Sequence, residues 1–171
     1  MDQTRIDTEM HALEEIIEYK FNNLSLLADA MKSVKLDKRD SDGDNHKEYS
    51  NEALSCLGDT VIKFLIAQHL YNLSKRKGEM TVEKSALENN KVFHEIADEK
   101  GIIAHAYNDD YFAKDDPPQH KKVRSKKHDP YIEAIAAAIF LDGGWKKVGE
   151  WFEKWLLPNL EQHKSSKSIP T

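Results

Sequence analysis

Residues 51–71, NEALSCLGDTVIKFLIAQHLY, carry the pattern of one long helix whose apolar side chains fall on almost every face. A helix of that kind is a buried one. Its exceptions keep register, since Glu52, Ser55, Asp59 and Lys63 stand at i, i+3, i+7 and i+11 and form a single polar stripe. An unpaired charge in a core costs several kcal/mol, so Asp59 must meet a cation, a hydrogen-bond network or a metal. Gly58 beside it costs about 1 kcal/mol relative to alanine in a helix interior, a penalty tolerated where a second backbone or a ligand comes close. Cys56 reads as a small core hydrophobe.

A second near-apolar helix follows much later in the chain. Asp129 is a good N-cap and Pro130 a good first helical residue, so YIEAIAAAIFL belongs to a helix over 130–141 that stops at Asp142, Gly143 and Gly144. Glu133 is the one charge in this run, and the alanines let another helix approach closely. Either Asp59 and Glu133 converge on a divalent cation, or each pairs with a lysine or caps a neighbouring backbone. Their shared burial predicts that the two helices pack together with both carboxylates facing one cleft.

Working outward, Leu13, Ile16 and Ile17, then Leu24, Leu27, Ala28 and Met31 after an Asn-Asn break, mark two short amphipathic helices. Lys35 to His46 is polar and reads as a surface loop. Its Asp-rich centre lacks the glutamate that a calcium loop needs at fixed spacing. Thr81 reads as an N-cap, and helices over 82–89 and 91–100 follow, the second closed by Gly101. Asn108 to Lys127 reads as an exposed loop, and Trp145 to Leu157 as a last amphipathic helix ended by Pro158, with fraying from Gln162 onward. No strand-like alternation longer than four residues appears, so the fold class is all-α. A single domain over 11–158, with tails at 1–10 and 159–171, suits the length.

Charged residues are 32% and hydrophobic ones 39%, which excludes a membrane-embedded or a disordered chain. MDQTRIDTEM has neither a signal-peptide nor a transit-peptide pattern. The single cysteine, Cys56, cannot form an internal disulfide, so an intracellular setting is expected. The net charge of −5 argues against holding nucleic acid by bulk charge. Locally, however, QHKKVRSKKH at 119–128 gathers Lys121, Lys122, Arg124, Lys126 and Lys127 without an acid, a patch suited to phosphates or to a solvated loop.

Together these motifs resemble a known family. NEALSCLGDTVIKFL resembles the ribonuclease III signature N-E-R-L-E-F-L-G-D-x-V-L, and YIEAIAAAIFLDGGW resembles its second motif, D-x-x-E-A-x-x-G-A-x-x-L-D-G-G. LEEIIEYKFNNLSLLADAM is similar to the family's opening L-x-x-x-x-G-Y-x-F-x-x-x-x-L-L-x-x-A-L. GEMT and NNKVFHEIADEKG are similar to its G-x-L-T and N-x-x-L-x-x-I-A-x-x-x-G. The likeness runs from Leu13 to Leu157, and no separate double-stranded-RNA-binding domain is expected in the chain. It implies an all-helical domain, a homodimer, and Mg²⁺-dependent hydrolysis of double-stranded RNA by four metal-binding carboxylates. Asp59 and Glu133 stand at two of those catalytic positions, whereas Ser55 and Pro130 stand at the other two. Cys56 replaces a phenylalanine that in the family packs across the dimer interface.

Mg²⁺ asks for near-octahedral oxygen ligands, so losing two carboxylates should lower its affinity by orders of magnitude. Asp129 lies beside one lost position, where recruitment to the metal competes with its role as N-cap. The leading expectation is an RNase III-like protein that binds structured or double-stranded RNA, or a ribonucleoprotein partner, with catalysis lost or weakened. One alternative is a working endoribonuclease with a metal site rebuilt from Asp59, Glu133 and either Asp129 or Glu52. Another is a protein-interaction scaffold or heterodimer partner. Neither a membrane nor a small-molecule cofactor is expected.

Overall fold

The helical spacing of the apolar residues is realised in a computed structural model that describes residues 2–33, 35–39, 45–49, 51–108, 112–115 and 130–166. Helix α1 (Gln3–Ile17) begins under the Asp2 carboxylate, which accepts from the Thr4 amide. Ile6, Met10, Leu13 and Ile17 recur at i, i+4, i+7 and i+11 and are all buried. The stretch expected as an N-terminal tail over 1–10 is therefore, from Gln3 on, the first half of a core helix. Helix α2 (Leu24–Met31) follows, capped by Asn23.

A β-hairpin replaces the surface loop expected over 35–46. Strands β1 (Lys35–Arg39) and β2 (Asn45–Tyr49) pair antiparallel, with Lys35 opposite Tyr49 and Arg39 opposite Asn45. Their sequences, KLDKR and NHKEY, hold no apolar alternation, so pairing left no period-2 signal to read.

The core is built on α3 (Glu52–Asn72) and α6 (Tyr131–Trp151), which pack side by side as expected. Ala134, Ala136, Ala137 and Ala138 are fully buried, and α2 packs on another side of α6. The α3–α6 crossing is close at Gly58, where a Cβ, if the residue had one, would lie 1.6 Å from the Glu133 carbonyl oxygen. Helix α3 itself is not buried all round. Val61, Ile62, Leu65, Ile66 and Leu70 face the core, whereas Cys56, Phe64 and Tyr71 are exposed, Phe64 by 50% and Tyr71 by 73%. An all-round apolar helix can face a core on one side and open surface on the other, and sequence periodicity does not separate the two.

Helices α4 (Lys77–Leu87) and α5 (Asn90–Glu99) and a 3₁₀ turn (Ile102–His105) cover one flank. Helix α4 starts ahead of Thr81: Glu79 accepts from the Arg76 amide at 2.8 Å, and the Thr81 hydroxyl donates to Lys77 O from inside the helix. Gly101, at φ +75°, ends α5 as its position predicts. Helix α6 kinks at Gly144 (φ 69°, ψ −170°), where the sequence predicts a stop. It runs through a π turn (Phe152–Leu156) into α7 (Leu157–Ser166). Pro158 does not end the helix: it is the second residue of α7, directly after the π turn. Nor are residues 159–166 a frayed tail: Leu160 is buried, and His163 lies 3.5 Å from Glu95 and 3.2 Å from Glu99. Among the described residues no helix is long and apolar enough to cross a membrane.

Candidate functional site

The cleft residues are set by three backbone decisions. Asn51, fully buried ahead of α3, donates its side-chain amide to Ala30 O at 2.9 Å and so fixes the start of α3 against the end of α2. Gly58 lets the turn carrying Asp59 press on the Glu133 backbone. Helical spacing then brings Lys63, one turn beyond Asp59, back over it: Lys63 Nζ donates to Asp59 Oδ2 at 2.6 Å.

The two acids differ in a way the sequence does not reveal. Glu133 is 2% exposed, whereas the Asp59 side chain is 37% exposed, so Asp59 is not a core carboxylate. It sits at the rim, with Lys63 as its cation. The hydrogen bond to Asp59 holds the Lys63 ammonium above the ordinary lysine range against a small desolvation, with the charges of Asp59, Glu88 and Glu133 adding to it. Glu88, at the end of α4, is paired with Lys84 at 3.4 Å. The lysine therefore stands in the field of both predicted acids and of a third that the motifs do not contain. Ser55 is half-buried, Pro130 buried and Glu52 exposed. Asp129 lies outside the described residues.

A second buried carboxylate escaped the motif reading. Glu14, on α1, accepts from the Phe21 amide at 2.7 Å and meets His11 at 2.9 Å and Lys20 at 3.5 Å. Burial pushes its carboxyl up, but these partners outweigh that and hold it below the usual range. It fastens the α1–α2 connection and is far in sequence from the cleft motifs.

Lys121, Lys122, Arg124, Lys126 and Lys127 lie outside the described residues. The segment just before them, 112–115, is tied down. Arg5 of α1 pairs with Asp115 at 2.5 Å and lies over the Phe112 ring at 5.1 Å, and Glu9 pairs with both His105 and Lys114. Also on α3, Cys56 and Phe64 are exposed, and Phe64 joins an aromatic group. Phe64 and Phe140 each lie 4.8 Å from the Trp145 ring, which is 50% exposed.

The ribonuclease III domain model matches residues 52–144, more than half of the chain. The chain belongs to the ribonuclease III family. Ribonuclease 3 of Caenorhabditis briggsae is 25% identical over 90% of this chain, and Ribonuclease 3 of Campylobacter curvus is 27% identical over 83%. Endoribonuclease Dicer homolog 3 of Arabidopsis thaliana is 34% identical over 58%. This chain spans 14%, 59% and 6% of those three proteins. The nuclease domain of ribonuclease III from Campylobacter jejuni, a structure concerned with flexibility in a region involved in dimer formation, shares the fold. Its TM-score is 0.64 at 24% identity, over 88% of this chain and 94% of that one.

The donor set of this ribonuclease III domain does not suit a divalent ion. Of four family ligand positions, Ser55 and Pro130 carry no carboxylate, and Asp59 is already engaged by an ammonium. Among the described residues no three His, Cys, Asp or Glu side chains come together to hold a metal. What the described residues offer is a partly exposed Asp59–Lys63 ion pair beside the α3–α6 crossing.

Proposed function

We propose that this chain is a ribonuclease III domain that binds structured or double-stranded RNA, alone or within a ribonucleoprotein, and does not itself cleave it. One observation carries the reading: the position where the family would use Asp59 on Mg²⁺ is occupied by the Asp59–Lys63 pair, with no carboxylate at 55 or 130. The deciding experiment is a cleavage assay on double-stranded RNA with and without Mg²⁺, run beside a gel shift. Retarded RNA without Mg²⁺-dependent product is expected. Cleavage that disappears in Asp59→Asn or Glu133→Gln would instead make the chain a working Mg²⁺-dependent endoribonuclease.

Phosphate contacts need cations, and Lys121 to Lys127 hold the densest group in an acidic chain. Changing Lys121, Lys122, Arg124, Lys126 and Lys127 together to alanine should weaken RNA binding and flatten its salt dependence. An unchanged affinity and salt slope would make the segment a solvated loop.

The same reading includes a homodimer, favoured by the exposed stripe of Cys56, Phe64 and Tyr71 and the adjoining Trp145. Cys56 fills less space than the phenylalanine it replaces, so the association should be weaker than a filled contact would give. Phe64→Ser is expected to raise the dissociation constant by about tenfold or more. Sedimentation showing a monomer at high concentration for the unaltered chain would exclude the dimer.

A further inference from the structure

We propose that Lys63 is the resident cation of the candidate site: its ammonium supplies, from the chain itself, the positive charge that Asp59 would otherwise draw from a divalent ion. The inference deepens the non-catalytic reading and rests on it. Its geometry is local and fixed. Asp59 and Lys63 are one turn apart on a helix whose position is set by the Gly58 crossing, and their side chains meet at 2.6 Å. That crossing presses the Asp59 turn against the Glu133 backbone, while Glu88, at the end of α4, has Lys84 as its own partner.

The consequence is competition. An ion that coordinates Asp59 must first break its ion pair and then sit beside an ammonium, and at a few ångströms that repulsion amounts to an order of magnitude or more in affinity. A tethered cation also makes the cleft indifferent to the ambient Mg²⁺ concentration, which no bound ion can do.

Mn²⁺ binding tests this, read from loss of the free-ion electron paramagnetic resonance signal and from the melting temperature. Four chains are compared: wild type, S55E/P130D, and that pair with K63Q or K63R added. The paired changes return carboxylates to the two family positions. Wild type should leave millimolar Mn²⁺ free and melt at an unchanged temperature, and S55E/P130D should bind weakly. Adding K63Q should tighten binding by about tenfold or more, whereas K63R should not. If P130D disturbs the start of α6, S55E alone with K63Q or K63R carries the same comparison. The proposal is overturned if K63Q leaves the affinity unchanged, if no restored chain binds Mn²⁺ with or without Lys63, or if wild type binds it. RNA cleavage by wild type would refute the non-catalytic reading, while the K63Q comparison of ion affinities decides this one separately.

Discussion

Gly58→Ala is expected to be the most damaging single change in the chain. The added methyl would lie 1.6 Å from the Glu133 carbonyl oxygen, 2.5 Å from its carbon and 3.1 Å from its Cα. All three are backbone atoms of a buried helix, so no side chain can swing aside. Relief requires α3 and α6 to separate, and these helices form the largest contact in the molecule. A loss of about 3 kcal/mol or more follows, at or beyond the usual range for overpacking. In a domain of this size that lowers the melting temperature by roughly 2–4 °C for each kcal/mol. Gly78→Ala is the control, because Gly78 lies in α4 with nothing within 4 Å of the added carbon. It should stabilise by about 0.5–1 kcal/mol through helix propensity alone. Equal melting temperatures for the two variants would mean that the crossing is looser than 1.6 Å requires.

Asp142→Ala should have the next largest effect. The Asp142 carboxylate accepts from the Tyr19 hydroxyl at 2.9 Å, the Asn22 amide at 3.0 Å, the Asn22 side chain at 3.2 Å and the Asn23 amide at 2.9 Å. It thereby pins the α1–α2 connection to the end of the straight part of α6. Removing it strands two backbone donors and a phenol, a loss of about 2 kcal/mol after solvent screening of a partly exposed group. Burial pushes the Asp142 carboxyl up, but the Asn22 and Asn23 amides, the Tyr19 hydroxyl and the Asn22 side chain together hold it below the ordinary range. A depressed folded-state value contributes stability above the unfolded value of about 3.9, and that contribution is lost as pH falls through the lower folded value. The stability gap between wild type and Asp142→Asn should thus be full at neutral pH and close in acid. A gap that stays constant down through acid pH would show that shape and not charge holds this joint.

What can be read from the sequence is what repeats along it. The helical character of α3, the alanine surface of α6, the close approach at Gly58 and the Gly101 stop are all written in the sequence, and the structure has them. Features that depend on a third element are not legible. The start of α1 is the exception, since Ile6 and Met10 extend the helical spacing of Leu13 and Ile17 and a tail over 1–10 overlooks that register. Cys56 carries the same apolar label whether it faces a core or open surface, and it faces open surface. The Asp59–Lys63 spacing is visible as an i,i+4 pair, yet a carboxylate on an apolar helix reads as a buried one, and the structure puts it at the rim. The charge of Glu88 reaches Lys63 only because α4 folds back on α3, which no local pattern encodes.

The tryptophans have an optical consequence. Trp151 and Trp155 stack at 5.4 Å with rings 15° apart, both buried, their indole N–H groups donating to Ile17 O and Ile16 O. Trp145, the third tryptophan in the chain, stands half in solvent against Phe64. The dry pair should emit at short wavelength, resist quenchers and couple as an exciton in the near-ultraviolet circular dichroism, all of which vanish on unfolding. Trp145 should emit to the red and be quenched freely until something covers the aromatic patch. One chain thus carries two separable dyes, one reporting whether the domain is folded and the other whether that patch is covered.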